Sequence, residues 1–382
     1  MTQAKLTIVA DENIPALEEY FGDLGNLIRA PGRTLSRDQL AGADILLVRS
    51  VTRVNEALLE GTPVRFVGSC TIGTDHMDTD WLEAQGIAWS AAPGCNANSV
   101  VEYVFCALAT LGVDWGGRSF GIVGCGNVGG LLQRRLHALN IPCAVYDPWL
   151  PDNPDAADLD SVLRQDVICL HAPLVKGGPH PSFHMIGAEQ LAQIKDGAVL
   201  ISAGRGAVVD NRALLQALRE GRRFTTVLDV WENEPDIDTE LLELVDIGTP
   251  HIAGYSLDGK LAGTRMIREA LEGAGIFSSP RPSMGEGLGE RARPRSRRDA
   301  ELELGAPSAN FSAMAELLLQ IYDPRDDDRR LRAAAQSDTP MAQAFDQLRR
   351  EYPERLEFSH YRADAAALAD TQRQQLAVLG LE

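Results

Sequence analysis

The stretch Phe120-Gly121-Ile122-Val123-Gly124-Cys125-Gly126-Asn127-Val128-Gly129 decides the fold. It opens as a short apolar run, of the kind that forms a strand covered on both faces. It then turns through glycines spaced Gly-x-Gly-x-x-Gly into a helical pattern that runs on from Gly129 to Leu139. Each glycine answers a separate demand. Gly124 permits the tight turn, Gly126 lets the backbone approach a pyrophosphate, and Gly129 lets the helix pack closely on its strand. Asn127 and Val128 stand at the helix N-terminus, where free N–H groups and the helix dipole favour a phosphate. Glycine spacing alone is a weak signal, because glycine turns are common. The strand before it and the helix after it give it weight.

The next apolar run ends at Val145-Tyr146-Asp147, which places Asp147 18 residues beyond Gly129. That is close to the spacing of the acid that binds the adenosine ribose hydroxyls. A carboxylate there repels a 2′-phosphate, and Pro148, Trp149 and Leu150 bring no cation to receive one. The expected cofactor is therefore NAD rather than NADP.

Outward from this unit, strands and helices alternate in both directions. Strands are predicted at Leu6–Ala10, Ile45–Val48, Phe66–Val67 and Ile87–Trp89, then at Cys143–Tyr146, Val167–Leu170, Ala198–Ile201, Thr226–Leu228 and Val245–Gly248. Helical spacing separates them, as in Asn55–Glu60, Val100–Leu111 and Asn211–Glu220. Such alternation predicts parallel sheets built from βαβ units, with one complete nucleotide-binding block inserted between two parts of another domain. Leu257–Gly273 is again helical and returns the chain to the first domain. Ser278–Arg298 is rich in Pro, Gly, Ser and Arg and reads as a linker. Helical spacing resumes at Phe311–Ile321 and Met341–Tyr352, so a small α+β module is expected at the C-terminal end.

Lys and Arg number 36 against 54 Asp and Glu, a net charge of -18. Such a surface repels nucleic acid and anionic membranes, and an anionic substrate has to be caught by a few local arginines. The six cysteines, Cys70, Cys95, Cys106, Cys125, Cys143 and Cys169, form no CxxC pair, and free thiols without a metal are expected. Neither a leader nor an apolar stretch of ~20 residues is legible, which predicts a cytoplasmic protein.

Three local sequences follow predicted strands, where an open α/β sheet carries its ligand residues. They are Ser202-Ala203-Gly204-Arg205-Gly206, Asp229-Val230-Trp231-Glu232-Asn233-Glu234-Pro235 and Pro250-His251-Ile252-Ala253-Gly254. An Arg, a carboxylate and a His suffice to oxidise a 2-hydroxy acid. His251 suits the hydroxyl proton, Glu234 would orient and stabilise its imidazolium, and Arg205 would grip the substrate carboxylate with two parallel N–H donors. Asp229 is expected to meet the nicotinamide carboxamide. Taken singly, each has a bland reading: a loop cation, a solvated turn acid, a satisfied loop histidine. Their order within one nucleotide-binding block favours the catalytic reading.

At this point the chain resembles the D-isomer-specific 2-hydroxyacid dehydrogenases, and within them a branch acting on a phosphorylated four-carbon acid. The residues that carry the resemblance include Asp11-Glu12-Asn13, Val48-Arg49-Ser50-Val51-Thr52, Gly73-Thr74-Asp75-His76, Ala91-Ala92-Pro93-Gly94-Cys95-Asn96-Ala97, Arg205-Gly206-Ala207-Val208-Val209-Asp210-Asn211 and Thr249-Pro250-His251-Ile252-Ala253-Gly254-Tyr255-Ser256. It resumes at Ile321-Tyr322-Asp323-Pro324-Arg325 and Phe345-Asp346-Gln347-Leu348-Arg349. The resemblance implies an α/β fold with two doubly wound parallel-sheet domains, an outer flavodoxin-like one and an inner Rossmann one that binds NAD, plus a small α+β C-terminal dimerisation domain. The expected boundaries are 1–95 with 258–277 for the outer substrate-binding domain, 96–257 for the NAD domain, 278–305 for the linker and 306–382 for the C-terminal domain. It further implies that Ser50, Thr71 and Tyr255 contact substrate, that Asp147, Ala203, Gly204, Arg205, Asp229 and Gly254 contact NAD, and that the protein is a homodimer.

A substrate with a carboxylate at one end and a phosphate at the other needs cations at both. Arg49 is the candidate for the phosphate, the alternative being an ordinary ion pair with a nearby acid. Arg349 or Arg350 is a further candidate to reach the site. Ser202 departs from the family, which usually has Asn there, and a shorter side chain leaves a hydrogen bond unmade. Two rival readings stay open: another dehydrogenase of the family, such as one for 3-phosphoglycerate, or a non-catalytic NAD-sensing protein on the same fold.

Overall fold

The computed structural model describes residues 5–275, 300–302, 311–363 and 368–381. The chain divides into two compact units, Met1–Asn96 with Ser256–Arg297 and Ala97–Tyr255 with Arg298–Glu382.

The first unit is built on β1 (Leu6–Asp11), β2 (Gly25–Ala30), β3 (Ile45–Val48), β4 (Phe66–Ser69) and β5 (Ala88–Ser90). All pair in parallel, in the order β2-β1-β3-β4-β5. This is the flavodoxin-like order. The central strands β3 and β4 are buried at every position, which explains their unbroken apolar or small composition. The helix Leu257–Gly273 covers one face, as its spacing predicts. Gly68 makes room for it, since a Cβ there would lie 2.3 Å from Ile267 Cγ2. The strand β2, Gly-Asn-Leu-Ile-Arg-Ala, went unrecognised in the sequence. It is an edge strand, mostly exposed or half-exposed, and carries no apolar run.

The second unit is built on β6 (Phe120–Val123), β7 (Cys143–Tyr146), β8 (Val167–Leu170), β9 (Val199–Ser202), β10 (Thr225–Leu228) and β11 (Ile247–Gly248). They pair in parallel in the order β11-β10-β9-β8-β6-β7. The chain steps from β6 outward to β7 and then back past β6 to β8. The carboxyl ends of β6 and β8 therefore flank the switch point where such sheets bind ligands.

The helix Ala97–Thr110 is buried at every position from Ala97 to Ala109 except Asn98, because it is covered on more than one side. Its apolar side chains share a core with those of β6 and with Met314, Leu317 and Leu318 of the C-terminal helix Phe311–Ile321. Trp115 stands edge-on to Phe105 at 5.3 Å and to Phe311 at 4.7 Å, which joins the two layers. The C-terminal segment, expected as a small α+β domain, groups by its contacts with the second unit. Its helices are Phe311–Ile321, Pro324–Ala335, Met341–Arg350 and Asp370–Leu379, and Ala300–Leu302 pairs in parallel with Tyr361–Ala363. The helix Pro324–Ala335 closes the sheet edge at β11. Asp328 Oδ1 accepts the Gly248 N–H at 2.7 Å, and Arg332 donates to the carbonyls of Leu242 at 2.6 Å and Val245 at 2.8 Å. Apart from Ala300–Leu302, the expected linker 278–305 and its arginine-rich part, 278–298, lie outside the described residues. Among the described residues no helix is long and apolar enough to cross a membrane.

Candidate active site

The glycine loop has the geometry its spacing demands. Gly124 adopts φ 85°, and a Cβ there would strike the Ala172 backbone at 2.6 Å. A Cβ on Gly129 would lie 2.0 Å from the Gly124 carbonyl oxygen. Gly126 differs, because a Cβ there would meet nothing within 4 Å. Two glycines are thus needed by the protein's own packing, and the third faces open space. Gly126 precedes the helix Asn127–Ala138 and offers it no side-chain cap, so the amides of the first turn have no acceptor from a capping group. Asp147 closes the loop: the Cys125 N–H donates to Oδ2 at 2.8 Å and the Trp149 N–H to Oδ1 at 3.0 Å.

Beyond β8, His171 sits beside the loop, and both of its ring nitrogens are buried without a hydrogen-bond partner. Burial lowers its pKa to about 4, so its ring is neutral. Sequence reasoning passed over this residue, since one His after an apolar run carries no signal. A bare helix N-terminus, an open glycine and an orphaned imidazole at the switch point fit a dinucleotide, with Gly126, Asn127 and Val128 at its pyrophosphate.

Arg205 follows β9 and is half-buried, with Nη1 donating to the Gly204 carbonyl at 3.0 Å. Ala203 donates its N–H to the Leu170 carbonyl at 3.2 Å, which ties this loop to the end of β8. Gly206 lets it pack on the next one, since a Cβ there would lie 1.9 Å from the Trp231 carbonyl oxygen. Ser202 is buried and its Oγ has no partner, as the departure from Asn foresees.

After β10 the chain places Glu234 against His251. Glu234 Oε2 lies 2.6 Å from His251 Nδ1, and Oε1 accepts the Trp231 N–H at 2.8 Å. Burial alone would raise the Glu234 pKa. The His251 charge and hydrogen bond, the Trp231 amide and the nearby Arg349 outweigh it and hold the carboxyl below its ordinary value. His251 has φ 56°, an uncommon conformation for a residue with a Cβ. Asp229 enforces it. Its carbonyl accepts the His251 N–H at 2.7 Å, while its carboxylate accepts Thr249 Oγ1 at 2.7 Å, Ile252 N–H at 2.8 Å and Ala253 N–H at 3.0 Å. Asp229, expected to meet the nicotinamide carboxamide, is 1% exposed, and both of its carboxylate oxygens accept from the histidine loop.

The same loop is gripped from the C-terminal segment. Arg355 donates to the Ala253 carbonyl and to Ser99 Oγ, and stacks 4.4 Å from the Tyr322 ring. Gly254 follows, half-buried, and then Tyr255, whose ring meets Tyr352 edge-on at 5.7 Å and carries the Arg349 guanidinium at 5.5 Å. Of the two C-terminal arginines considered from the sequence, Arg349 is therefore at this site, and Arg350 is exposed beside Glu351 at 3.9 Å.

Arg49, Ser50 and Thr71 belong to the first unit, at the carboxyl ends of β3 and β4. Thr71 Oγ1 lies 2.9 Å from Ser69 Oγ, which also contacts His76 Nε2 at 3.1 Å. Ser50 is exposed, and Arg49 is half-buried beside Cys70, with no acid in ion-pair contact among the described residues.

Comparison with known proteins agrees with this geometry. Residues 102–253 match the NAD binding domain of D-isomer specific 2-hydroxyacid dehydrogenases. Residues 299–380 match a domain of unknown function (DUF3410). Among solved structures, a D-lactate dehydrogenase from Aquifex aeolicus complexed with NAD and lactic acid superposes with TM-score 0.59 at 24% identity, covering 70% of this chain and 95% of that one. A 3-phosphoglycerate dehydrogenase from Entamoeba histolytica with bound NAD+ gives 0.61 at 19% identity, covering 70% and 94%. At such identities these two speak for the fold. The sequence relatives are much closer. The erythronate-4-phosphate dehydrogenase of Cellvibrio japonicus is 51% identical over 98% of this chain and 99% of its own length. That of Teredinibacter turnerae is 46% identical over 95% and 96%. With two parallel-sheet domains, a dinucleotide loop and a paired Glu and His at the carboxyl ends of the same sheet, the chain belongs to the erythronate-4-phosphate dehydrogenase family, within the D-isomer-specific 2-hydroxyacid dehydrogenases.

Proposed function

We propose that the protein oxidises 4-phospho-D-erythronate at C2 to (R)-3-hydroxy-2-oxo-4-phosphooxybutanoate, with NAD, on a route to pyridoxal 5′-phosphate. The observation that carries this reading is the 2.6 Å contact between His251 Nδ1 and Glu234 Oε2, at the carboxyl end of the same sheet that carries the glycine loop. With Nδ1 committed to the carboxylate, Nε2 is the atom left to take the hydroxyl proton. The ionised Glu234 then stabilises the imidazolium that forms. Bound NAD supplies the hydride acceptor. Gly124, Gly126, Asn127, Val128, Gly129, Asp147, Ala203, Gly204, Asp229 and Gly254 hold it, Asp229 also bracing the histidine loop. Arg205 anchors the substrate carboxylate and polarises the C2 oxygen. Ser50, Thr71 and Tyr255 contact the substrate, and Arg49 faces its phosphate. The same reading has the enzyme working in the cytoplasm as a homodimer, which light scattering of the purified protein would test.

NADH absorbance is the direct assay. Turnover of 4-phosphoerythronate well above that of 3-phosphoglycerate and lactate is expected. His251→Ala should abolish turnover while NADH binding persists. Comparable rates on phosphoglycerate would turn the assignment to another member of the larger family, and absence of any turnover would favour an NAD-sensing role.

A further inference from the structure

Arg349 is placed where an ordinary structural arginine would not be. It lies near the end of the helix Met341–Arg350, in the C-terminal segment, yet its guanidinium stands over the Tyr255 ring at 5.5 Å and the Phe345 ring at 6.0 Å. Its Nε is buried without a hydrogen-bond partner. Among the described residues Arg349 forms no ion pair, whereas its neighbour Arg350 does. Glu234 and Asp229 act on it alongside a side-chain hydrogen bond to Tyr255, and both acids are already engaged, by His251 and by the histidine loop. The guanidinium is half-buried and hydrogen-bonds Tyr255, yet Nε keeps no partner, and a desolvated donor of this kind persists where a ligand supplies the missing acceptor.

We infer that Arg349 binds the terminal phosphate of the substrate, so that the C-terminal segment contributes directly to substrate specificity. This deepens the proposed function and rests on it for the identity of the substrate. The assignment to the phosphate follows from the order of groups along the substrate. The carboxylate is bonded to the reacting carbon, so it has to lie with Arg205 close to His251. The phosphate is on C4, two carbons further on, and Arg349 is reached through Tyr255, four residues beyond His251. A planar guanidinium braced on an aromatic ring is suited to a phosphate monoester.

The test is Arg349→Gln, with Arg349→Lys as a second variant. Kd for 4-phosphoerythronate is measured by calorimetry, kcat/KM is measured for 4-phosphoerythronate and for erythronate, and NADH affinity serves as the check on folding. Loss of a charge-assisted contact predicts a drop of roughly 10- to 100-fold in kcat/KM for the phosphorylated substrate and a matching rise in its Kd. Erythronate, which lacks the phosphate, should lose far less than the phosphorylated substrate, and Arg349→Lys should fall between. An equal loss on both substrates, or no loss on either, overturns the inference. Should the parent enzyme bind 4-phosphoerythronate more tightly than Arg349→Gln does without turning it over, the phosphate site stands and the proposed function fails.

Discussion

Glu234 uses its two oxygens on two different segments: Oε2 meets His251 Nδ1 at 2.6 Å, and Oε1 takes the Trp231 amide at 2.8 Å. The carboxylate is therefore fixed by backbone before it fixes the imidazole. The depressed Glu234 pKa has a consequence for stability. A carboxyl that is more acidic folded than unfolded adds stability that is complete above the unfolded value, near 4.3 for Glu, and is lost as pH falls through the folded one. Glu234→Gln keeps the shape and removes the charge. Its turnover should fall by about 10²-fold or more, the scale of acid–base assistance. The stability gap between parent and variant should narrow as pH falls below ~4.3. A gap independent of pH in that range would show that the pair is not ionic.

The glycine loop makes a paired prediction. Gly126→Ala meets no atom within 4 Å, so the protein without cofactor should melt at the parent temperature. Its NADH affinity should fall by an order of magnitude or more, because the methyl group occupies the approach to the pyrophosphate. Gly129→Ala drives a Cβ to 2.0 Å from the Gly124 carbonyl and should cost about 1–3 kcal/mol in denaturant unfolding. If Gly126→Ala binds NADH normally, the cofactor does not pass over this loop.

Asp229 holds the left-handed His251 through its neighbours. Asp229→Asn turns one acceptor into a donor aimed at an N–H of the Ile252–Ala253 pair. A loss of about 1–3 kcal/mol is expected from urea unfolding, with turnover falling more than NADH affinity. A variant as stable as the parent would mean that the loop holds itself.

How much of this was legible in the sequence depends on where each residue gets its signal. The helices Leu257–Gly273 and Phe311–Ile321 were read to the residue, because each has an apolar stripe to bury. The helix Pro324–Ala335 was missed, because its face is nearly all charged and only Leu331 supplies buried aliphatic bulk. Its start signal, Asp323 capping with Pro324 in the first turn, was present and went unread. His251, Glu234 and Arg205 stand out in the sequence because each follows a strand end, where chain order and chemistry coincide. Arg349 was raised only as one of two candidates, and His171, Arg355 and the loop-holding role of Asp229 were not foreseen. Their importance comes from tertiary neighbours, Tyr255, Gly124, Ala253 and Ile252, which no local pattern displays.

The last prediction concerns the join between the C-terminal segment and the helix Ala97–Thr110. Glu102 is 5% exposed and accepts the Phe358 N–H at 2.9 Å, while Asn98 Nδ2 donates to Glu102 at 2.8 Å and to Glu357 at 2.7 Å. Burial, with the nearby Glu357, raises the Glu102 pKa to about 8 against the pull of the Phe358 amide, Arg135 and Arg355. The folded chain therefore keeps a proton that the unfolded chain releases above ~4.3, and stability from this group falls as pH rises from there to about 8. Gln at this position stays neutral and still accepts from Phe358 and Asn98. Glu102→Gln should match the parent near pH 5 and exceed it at pH 8, by on the order of 2–4 °C in Tm for each kcal/mol relieved. Thermal melts across that range decide it: parallel curves for the two proteins would mean that Glu102 is ionised at both ends and that Arg135 and Arg355 outweigh its burial.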